Sequence, residues 1–262
     1  MNRPILRFTV LILLSITFFI SCTKTHQLNS YPNNYRMLSF NETTTSGATA
    51  APVVFNENYS FIYDDFNRVS QVIYTTNNPV LPNTISYFTY SNDTIIKVTK
   101  NLNQTVIETD TFITDLRGFI TTTYMTGNIT SYAYLNNLLT RVTYTNGAYS
   151  LYTSYRGNFL KQTPSVATAI NESYTYNIDM ANRPGDYFQL LSFAKYGFNF
   201  YQYHNLLRSV IDPLTATNTN TTNLTYVIDA DSKITRTTAV ITDSSDAVVE
   251  TQVFDIQYEK FK

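Results

Sequence analysis

Two carboxylates, Glu108 and Asp110, stand two positions apart in an apolar, β-branched run between Val106 and Phe112. On a strand that spacing puts both on one face, about 7 Å apart. Carboxylates at that separation can perform acid–base glycoside hydrolysis. Nothing else converges on them, and charges on a strand also guard it against edge-to-edge aggregation, which is the stronger reading. Other chemistry is thinly supplied. His26 and His204 with the single Cys22 are too few for a zinc site. His204 reads as a packed or capping residue. Asp229 and Asp231 resemble the start of a calcium loop, but the required glycine and distal glutamate are missing, so a hairpin turn is expected. The chain has no glycine-rich phosphate loop and no Gly-x-Ser-x-Gly elbow. The expectation is a protein with no catalytic residues, no metal and no cofactor.

The elements that would position such groups are strands. The 262 residues include 22 Tyr, 17 Phe, 41 Thr and 27 Asn, against 7 Gly and no Trp. Aromatic and β-branched residues favour strands. An aromatic share of 15% excludes intrinsic disorder, which needs low hydrophobicity and high net charge. Lys and Arg total 18 against 19 acids. That balance excludes nucleic acid as a partner, because nothing would release counterions from phosphate.

The first 22 residues read as a targeting segment. Arg3 and Arg7 precede an apolar run from Phe8 to Ile20. As a helix that run is about 20 Å long, too short for a hydrocarbon core of about 30 Å. It ends at Phe19-Ile20-Ser21-Cys22, which resembles a bacterial lipobox with Phe19 in the usual leucine position. Cys22 is the sole cysteine, so no disulfide can form within the chain. Residues 1–21 are therefore expected to be a lipoprotein signal peptide and Cys22 the lipidated residue. No Asp follows Cys22, which by resemblance to lipoprotein sorting implies the outer membrane. Acidic residues that accompany surface export are missing as well, so the periplasmic face is favoured over the cell surface.

Residues 22–52 read as a tether, a first strand over Tyr35 to Phe40 and a loop from Thr43 to Pro52. Residues 53–262 read as one β-meander domain. Turn residues recur about every ten positions at Leu116-Arg117-Gly118, Gly127-Asn128, Asn136-Asn137, Asn146-Gly147 and Gly157-Asn158. Asn146-Gly147 is the preferred pair for a two-residue hairpin. Even spacing with tight turns predicts an all-β, antiparallel up-and-down meander of about 13 to 15 strands. Neither face of the runs is cleanly apolar, so a water-facing sheet is expected over a membrane barrel. A closed barrel of that size is too wide for its own side chains to fill. The sheet should be strongly curved and open, or a flattened barrel, or should wrap a cap. Such a cap is predicted near 184–207, where Phe188, Leu191 and Lys195 have helical spacing. The same stretch holds the one candidate ligand-binding or core cluster: Tyr187, Phe188, Phe193, Tyr196, Phe198, Phe200, Tyr201 and Tyr203. Its density favours the core. A polar loop is expected over Thr215 to Asn223.

Tyr63-Asp64-Asp65-Phe66-Asn67-Arg68-Val69 resembles a YD repeat. Its physics is that of a hairpin: Asp64 accepts backbone bonds, Asn67 tolerates positive φ, and Arg68 pairs with the turn acids. Tyr176 to Arg183 is a looser echo. With the lipobox and the meander, the chain resembles a family of Bacteroidota lipoproteins with a porin-like fold. That resemblance implies a β-rich, non-enzymatic cell-envelope protein with no assigned ligand, and carries over only Cys22. Asp93-Thr94-Ile95 resembles the Bacteroidota O-glycosylation pattern at Thr94. The expected function is a non-catalytic envelope lipoprotein, held at the membrane by its lipid, that binds or scaffolds a glycan, lipid or envelope protein. A lipid-binding open barrel and a hydrolase using Glu108 and Asp110 are the alternatives. A continuous apolar cavity would mark the carrier. A filled interior would mark the scaffold.

Overall fold

A computed structural model describes residues 35–47, 52–166, 171–198, 203–213 and 219–261. Among them the chain forms sixteen strands and one helix. The first eight strands are β1 (Tyr35–Ser46), β2 (Val53–Tyr63), β3 (Val69–Thr76), β4 (Thr84–Ser91), β5 (Thr94–Asn101), β6 (Val106–Thr114), β7 (Ile120–Met125) and β8 (Asn128–Leu135). There follow β9 (Leu138–Tyr144), β10 (Tyr149–Tyr155), β11 (Asn158–Pro164) and β12 (Glu172–Ala181), then helix α1 (Tyr187–Tyr196). The chain ends with β13 (Asn205–Pro213), β14 (Thr219–Ile228), β15 (Ile234–Thr242) and β16 (Val248–Lys260).

Each strand pairs antiparallel with its sequence neighbours, and β1 pairs with β16 from Tyr35↔Lys260 to Ser46↔Glu250. The meander is as expected, with one strand more than the spacing suggested. The open alternative is overturned, because the sheet closes. Closure removes both edges, which an open sheet of this length would leave ready to pair with other chains. The barrel also begins earlier than the sequence suggested. Thr43 to Ser46 belongs to β1 and Thr219 to Asn223 to β14, both in stretches read as loops. Threonine is polar but β-branched, so where a partner strand is available it extends the ladder.

The turns differ in detail from the expected ones. Asn146-Gly147 does not make a two-residue hairpin. Gly147 N–H bonds Tyr144 O at 2.8 Å and only Gly147, at φ 81°, is left-handed, so the turn closes with a bulge. Two-residue turns with positive φ at both positions are at Thr126-Gly127, Asn136-Asn137 and Arg156-Gly157, and Asn92-Asp93 joins β4 to β5 with neither residue left-handed. No cis peptide occurs among the described residues.

Strand alternation divides the residues into wall and lumen. Phe40, Phe61, Phe112 and Phe254 are buried inside. Helix α1 lies among them. Phe193 meets Phe61 of β2 edge-on at 5.4 Å, and Tyr196 meets Phe112 of β6 at 5.9 Å. Tyr187 meets Phe254 of β16 at 5.8 Å, while Phe188 meets Tyr174 of β12 at 5.7 Å. A helix that touches strands on every side of a closed barrel can only be inside it. That resolves the filling problem, since α1 occupies volume that wall side chains cannot reach. Gly197 ends α1 at φ 75°, and its missing Cβ makes room for the Phe88 ring, which would lie 2.4 Å away.

Candidate functional site

The barrel has two unlike ends. β1 starts and β16 stops at what is here called the near end, and α1 is entered there. Its lumen is packed by Met37, Val69, Ile95, Leu206, Leu207 and Ile234, all at 1% exposure or less. The far end, where β1 runs into β2 and β15 into β16, is polar inside. The interface between them is α1, whose Leu191 and Lys195 remain exposed above the packed layer.

Asp186 fixes α1 in place. It is the N-cap, accepting from Phe188 N at 3.1 Å, and it is fully buried. Leu207 N donates to it at 3.1 Å, Tyr226 Oη at 3.2 Å, and Tyr203 Oη donates as well. Burial pushes this carboxyl up to about 7, while the bonds from Leu207, Phe188 and Tyr226 pull the other way. The Leu207 amide and the Tyr226 hydroxyl thus tie the plug to β13 and β14, and Tyr203 ties it to the segment that leads into β13.

The far lumen gathers acids that sequence spacing did not reveal. Glu42 faces inward on the same side of β1 as Phe40, and pairs in register with Glu57 of β2. Tyr59 Oη donates to Glu57 at 2.9 Å and stacks on Phe40 at 4.6 Å. Gln252 Nε2 donates to Glu250 at 2.7 Å, and Tyr187 Oη of the helix donates to Gln252 at 3.0 Å. Burial and the neighbouring charges of Glu57 and Glu250 raise Glu42 to about 7, against the bond from Thr44. Glu172 is raised by burial too, although Tyr174 Oη donates to it at 2.5 Å. Pairings 15 residues apart across one hairpin could have been guessed from a register. The approach of Glu250, from the other end of the chain, could not.

A prediction on pH follows. In the unfolded chain Glu42 ionises near its ordinary value of 4.5, and in the barrel near 7. Over that window the folded state holds the extra proton, so stability falls as pH rises from about 4.5 to about 7 and levels off above. The full linkage is about 3 kcal/mol as an upper bound. Urea melts of the protein and of Glu42→Gln at pH 5 and pH 8 check this. The substituted barrel should be the more stable one at pH 8, with the gap closing at pH 5.

Glu108 and Asp110 both enter the lumen on β6, as the strand spacing required. Lys97 of β5 lies between them, its Nζ at 3.3 Å from Glu108 and 3.1 Å from Asp110. Asp110 is fully buried and its Oδ1 has no hydrogen-bond partner. Burial raises its pKa, opposed by Lys97. One ammonium holds both acids, which suits wall structure better than proton transfer.

The remaining candidates fall into structural roles. Of the aromatic cluster, Tyr187, Phe193, Phe198 and Tyr203 are buried core and Phe188 and Tyr196 pack against it. Phe200 and Tyr201 lie outside the described residues, as do Cys22 and His26. The Tyr63 hairpin has the expected bonds. Asp64 Oδ1 accepts from Phe66 N and Arg68 N, both at 2.9 Å; Arg68 Nη2 reaches Asp64 at 2.6 Å; Asn67 sits at φ 59°. Tyr63 Oη donates to Met37 O at 2.6 Å. The echo at Tyr176 to Arg183 is not such a turn, because Tyr176 to Ala181 continues β12. The same bonding recurs instead at Asp115 and Asp229, and at the far end at Asn101 and Asp243. The signal that would have found them is an Asp or Asn after a strand with a left-handed residue three positions on. Asp229 and Asp231 both pair with Lys233 in that hairpin. His204 lies against Gly157, where a Cβ would fall 2.1 Å from its ring. Thr94 opens β5 beside Asp93, and its hydroxyl donates to that carboxylate at 3.1 Å.

The outer wall is polar where it can be followed around closure. Asn41 bonds Asn58 at 2.6 Å, Ser39 bonds Gln257 at 3.2 Å, and Thr43 bonds Asn56 at 3.0 Å. Arg236 pairs with Asp255 at 2.6 Å. A lipid-facing barrel needs an unbroken apolar band, and β1, β2, β15 and β16 interrupt it. No helix among the described residues is long and apolar enough to cross a membrane.

No protein-family profile matches the chain, and neither does any curated protein. Among solved structures it is similar to a porin-like protein from Bacteroides uniformis, at 15% identity and a TM-score of 0.60. That match covers 88% of this chain and 99% of the other. A porin-like protein from Bacteroides vulgatus matches at 13% identity and a TM-score of 0.48, covering 84% and 98%. At such identity the first likeness shows a shared porin-like barrel fold and nothing finer.

Proposed function

We propose that this protein is a non-catalytic lipoprotein of the outer membrane, anchored through Cys22 and acting in the envelope as a binding or scaffold module. The observation that carries the reading is the combination of a pore-type closed barrel with a plugged lumen and a polar outer wall. Placed in hydrocarbon, the wall would bury the Asn41–Asn58 and Arg236–Asp255 pairs, whose mutual bonds offset only part of the cost of taking these polar and charged groups out of water. A barrel that stands in water and works at a membrane needs an anchor, and the Ser21-Cys22 sequence supplies one. The fold shared with porin-like Bacteroides proteins supports an envelope address. Binding is assigned to the far lumen, where carboxylates and tyrosine hydroxyls face water above α1. Groups rich in hydrogen-bond donors, such as glycans, or cationic groups fit that lining.

The filled interior favours this reading over a lipid carrier. Phe193 and Phe198 are buried against Phe61 and Phe112, in the place an acyl chain would need. The shared Lys97 favours it over a hydrolase. Three measurements test the proposal: palmitate labelling with membrane fractionation, planar-bilayer conductance, and a glycan array set beside lipid extraction and mass spectrometry. Expected are labelling that is lost in Cys22→Ser, no single-channel current, and no co-purifying lipid. Steady channel conductance would overturn it.

A further inference from the structure

We infer that the near end of the barrel docks on an anionic phospholipid surface, so that the protein stands on the membrane with its acidic far mouth turned away. The inference rests on the lipid anchor at Cys22 proposed above. It draws on three independent features of the barrel.

The first is where the chain enters. β1 begins at Tyr35, at the near end and next to Lys260. Thirteen steps of chain separate Tyr35 from Cys22, a reach of at most about 45 Å. That suffices to bring the near end to a bilayer. Presenting the far end instead would add the height of the barrel to the span, consuming most of that reach.

The second is what the near-end turns display. Phe66 on the β2–β3 turn is 78% exposed, and Leu116 on the β6–β7 turn 82%. Leu135, at the β8–β9 turn, is 66% exposed. Each stands at a tip where a bilayer interface would bury it, and burying such a side chain is favourable. Cations sit beside two of them: Arg68 over the Phe66 ring at 4.9 Å, and Arg117 in the same turn as Leu116. Both arginines are ion-paired within their own turns, to Asp64 and Asp115, so on anionic lipid a phosphate competes with the turn's carboxylate for the guanidinium while the apolar tip inserts.

The third feature chooses between the ends, since the far end also has exposed tips at Val80 and Leu102. Most near-end acids are offset by a cation: Asp64 pairs with Arg68, Asp115 with Arg117, Asp229 and Asp231 share Lys233, and Glu259 pairs with Arg36, while Asp65, Asp93 and Asp179 have no ion pair among the described residues. The far lumen holds Glu42, Glu57, Glu172 and Glu250, with no ion pair among the described residues for any of the four. An anionic leaflet repels that end and leaves the near end free to settle within a Debye length.

The test uses the absence of tryptophan from the sequence. Phe66→Trp, Leu116→Trp and Leu102→Trp each give a single reporter on an exposed turn, with circular dichroism to check the fold. The full lipidated protein is reconstituted in vesicles of phosphatidylethanolamine and phosphatidylglycerol with brominated acyl chains. The reporters at 66 and 116 should be strongly quenched and blue-shifted, and the one at 102 should match its value in unbrominated vesicles. Equal quenching at all three, or none at 66 and 116 in protein shown by mass spectrometry to carry lipid, overturns the docking while the anchor stands. Unlipidated mature protein, mixed with the same vesicles at high lipid concentration, separates the two ideas. Quenching at 66 and 116 there supports docking even if palmitate never reaches Cys22, a result that would overturn only the anchor.

Discussion

Asp186→Ala will destabilise the barrel by about 4 kcal/mol. The substitution removes a helix N-cap, worth about 1 kcal/mol. It also strands groups that have no water to turn to: the Tyr203 and Tyr226 hydroxyls and the Leu207 amide, all directed at a fully buried carboxyl. Each orphaned buried donor costs about 1–3 kcal/mol, reduced where another acceptor is within reach. Tyr226 has one, since its hydroxyl also bonds Leu207 O at 2.7 Å. In a chain of this size 4 kcal/mol lowers the melting temperature by about 8–16 °C. Urea denaturation followed by circular dichroism, with tyrosine fluorescence as a second readout, measures it. A loss below about 1 kcal/mol would mean that α1 is held by packing alone. Asp186→Asn keeps an acceptor for the cap and for one tyrosine, and should recover part of the loss.

Lys97→Met will cost about 3–5 kcal/mol at pH 8, because it leaves Asp110 buried, charged and without its partner. The sign of its pH dependence follows from Asp110. Burial already raises that pKa and Lys97 opposes the rise, so removing the ammonium raises it further. The folded variant then keeps its proton to higher pH than the unfolded chain does. Below the unfolded carboxyl value, about 3.9, both states are protonated and the penalty is absent. It grows as pH rises through the window between the two values and is complete above the folded one. Urea melts at pH 5 and pH 8 should therefore show the smaller loss at pH 5. A second substitution, Asp110→Leu, made in the Lys97→Met background should restore stability at pH 8, since an apolar pair of similar volume removes the buried charge. Equal losses at both pH values would remove Asp110 as the cause.

The local part of this architecture was legible in advance. Strand after strand could be read from Tyr, Thr, Phe, Val and Ile between turn residues, and so could helix α1, from Phe188, Leu191 and Lys195. The Tyr63 hairpin was legible to its individual bonds, because Asp64 and Asn67 act within five residues of themselves. Glu108 and Asp110 were correctly placed on one face by the strand period alone. Where threonine and asparagine runs were read as loops, at Thr43 and Thr219, polarity misled. A polar strand is stable once a neighbour offers its ladder, and the neighbour is not written next to it.

The sequence by itself determined the strand rhythm, the turn chemistry and the placing of inward against outward residues, since each depends on contacts a few residues long. Only the tertiary structure decided that β1 meets β16, that α1 stands inside the lumen, and that Glu250 lies near Glu42 and Lys97 between two acids. Those facts depend on closure. Whether a meander closes is fixed by the summed twist, tilt and register of all its strands and by what fills the space within, and no short stretch of residues carries that sum.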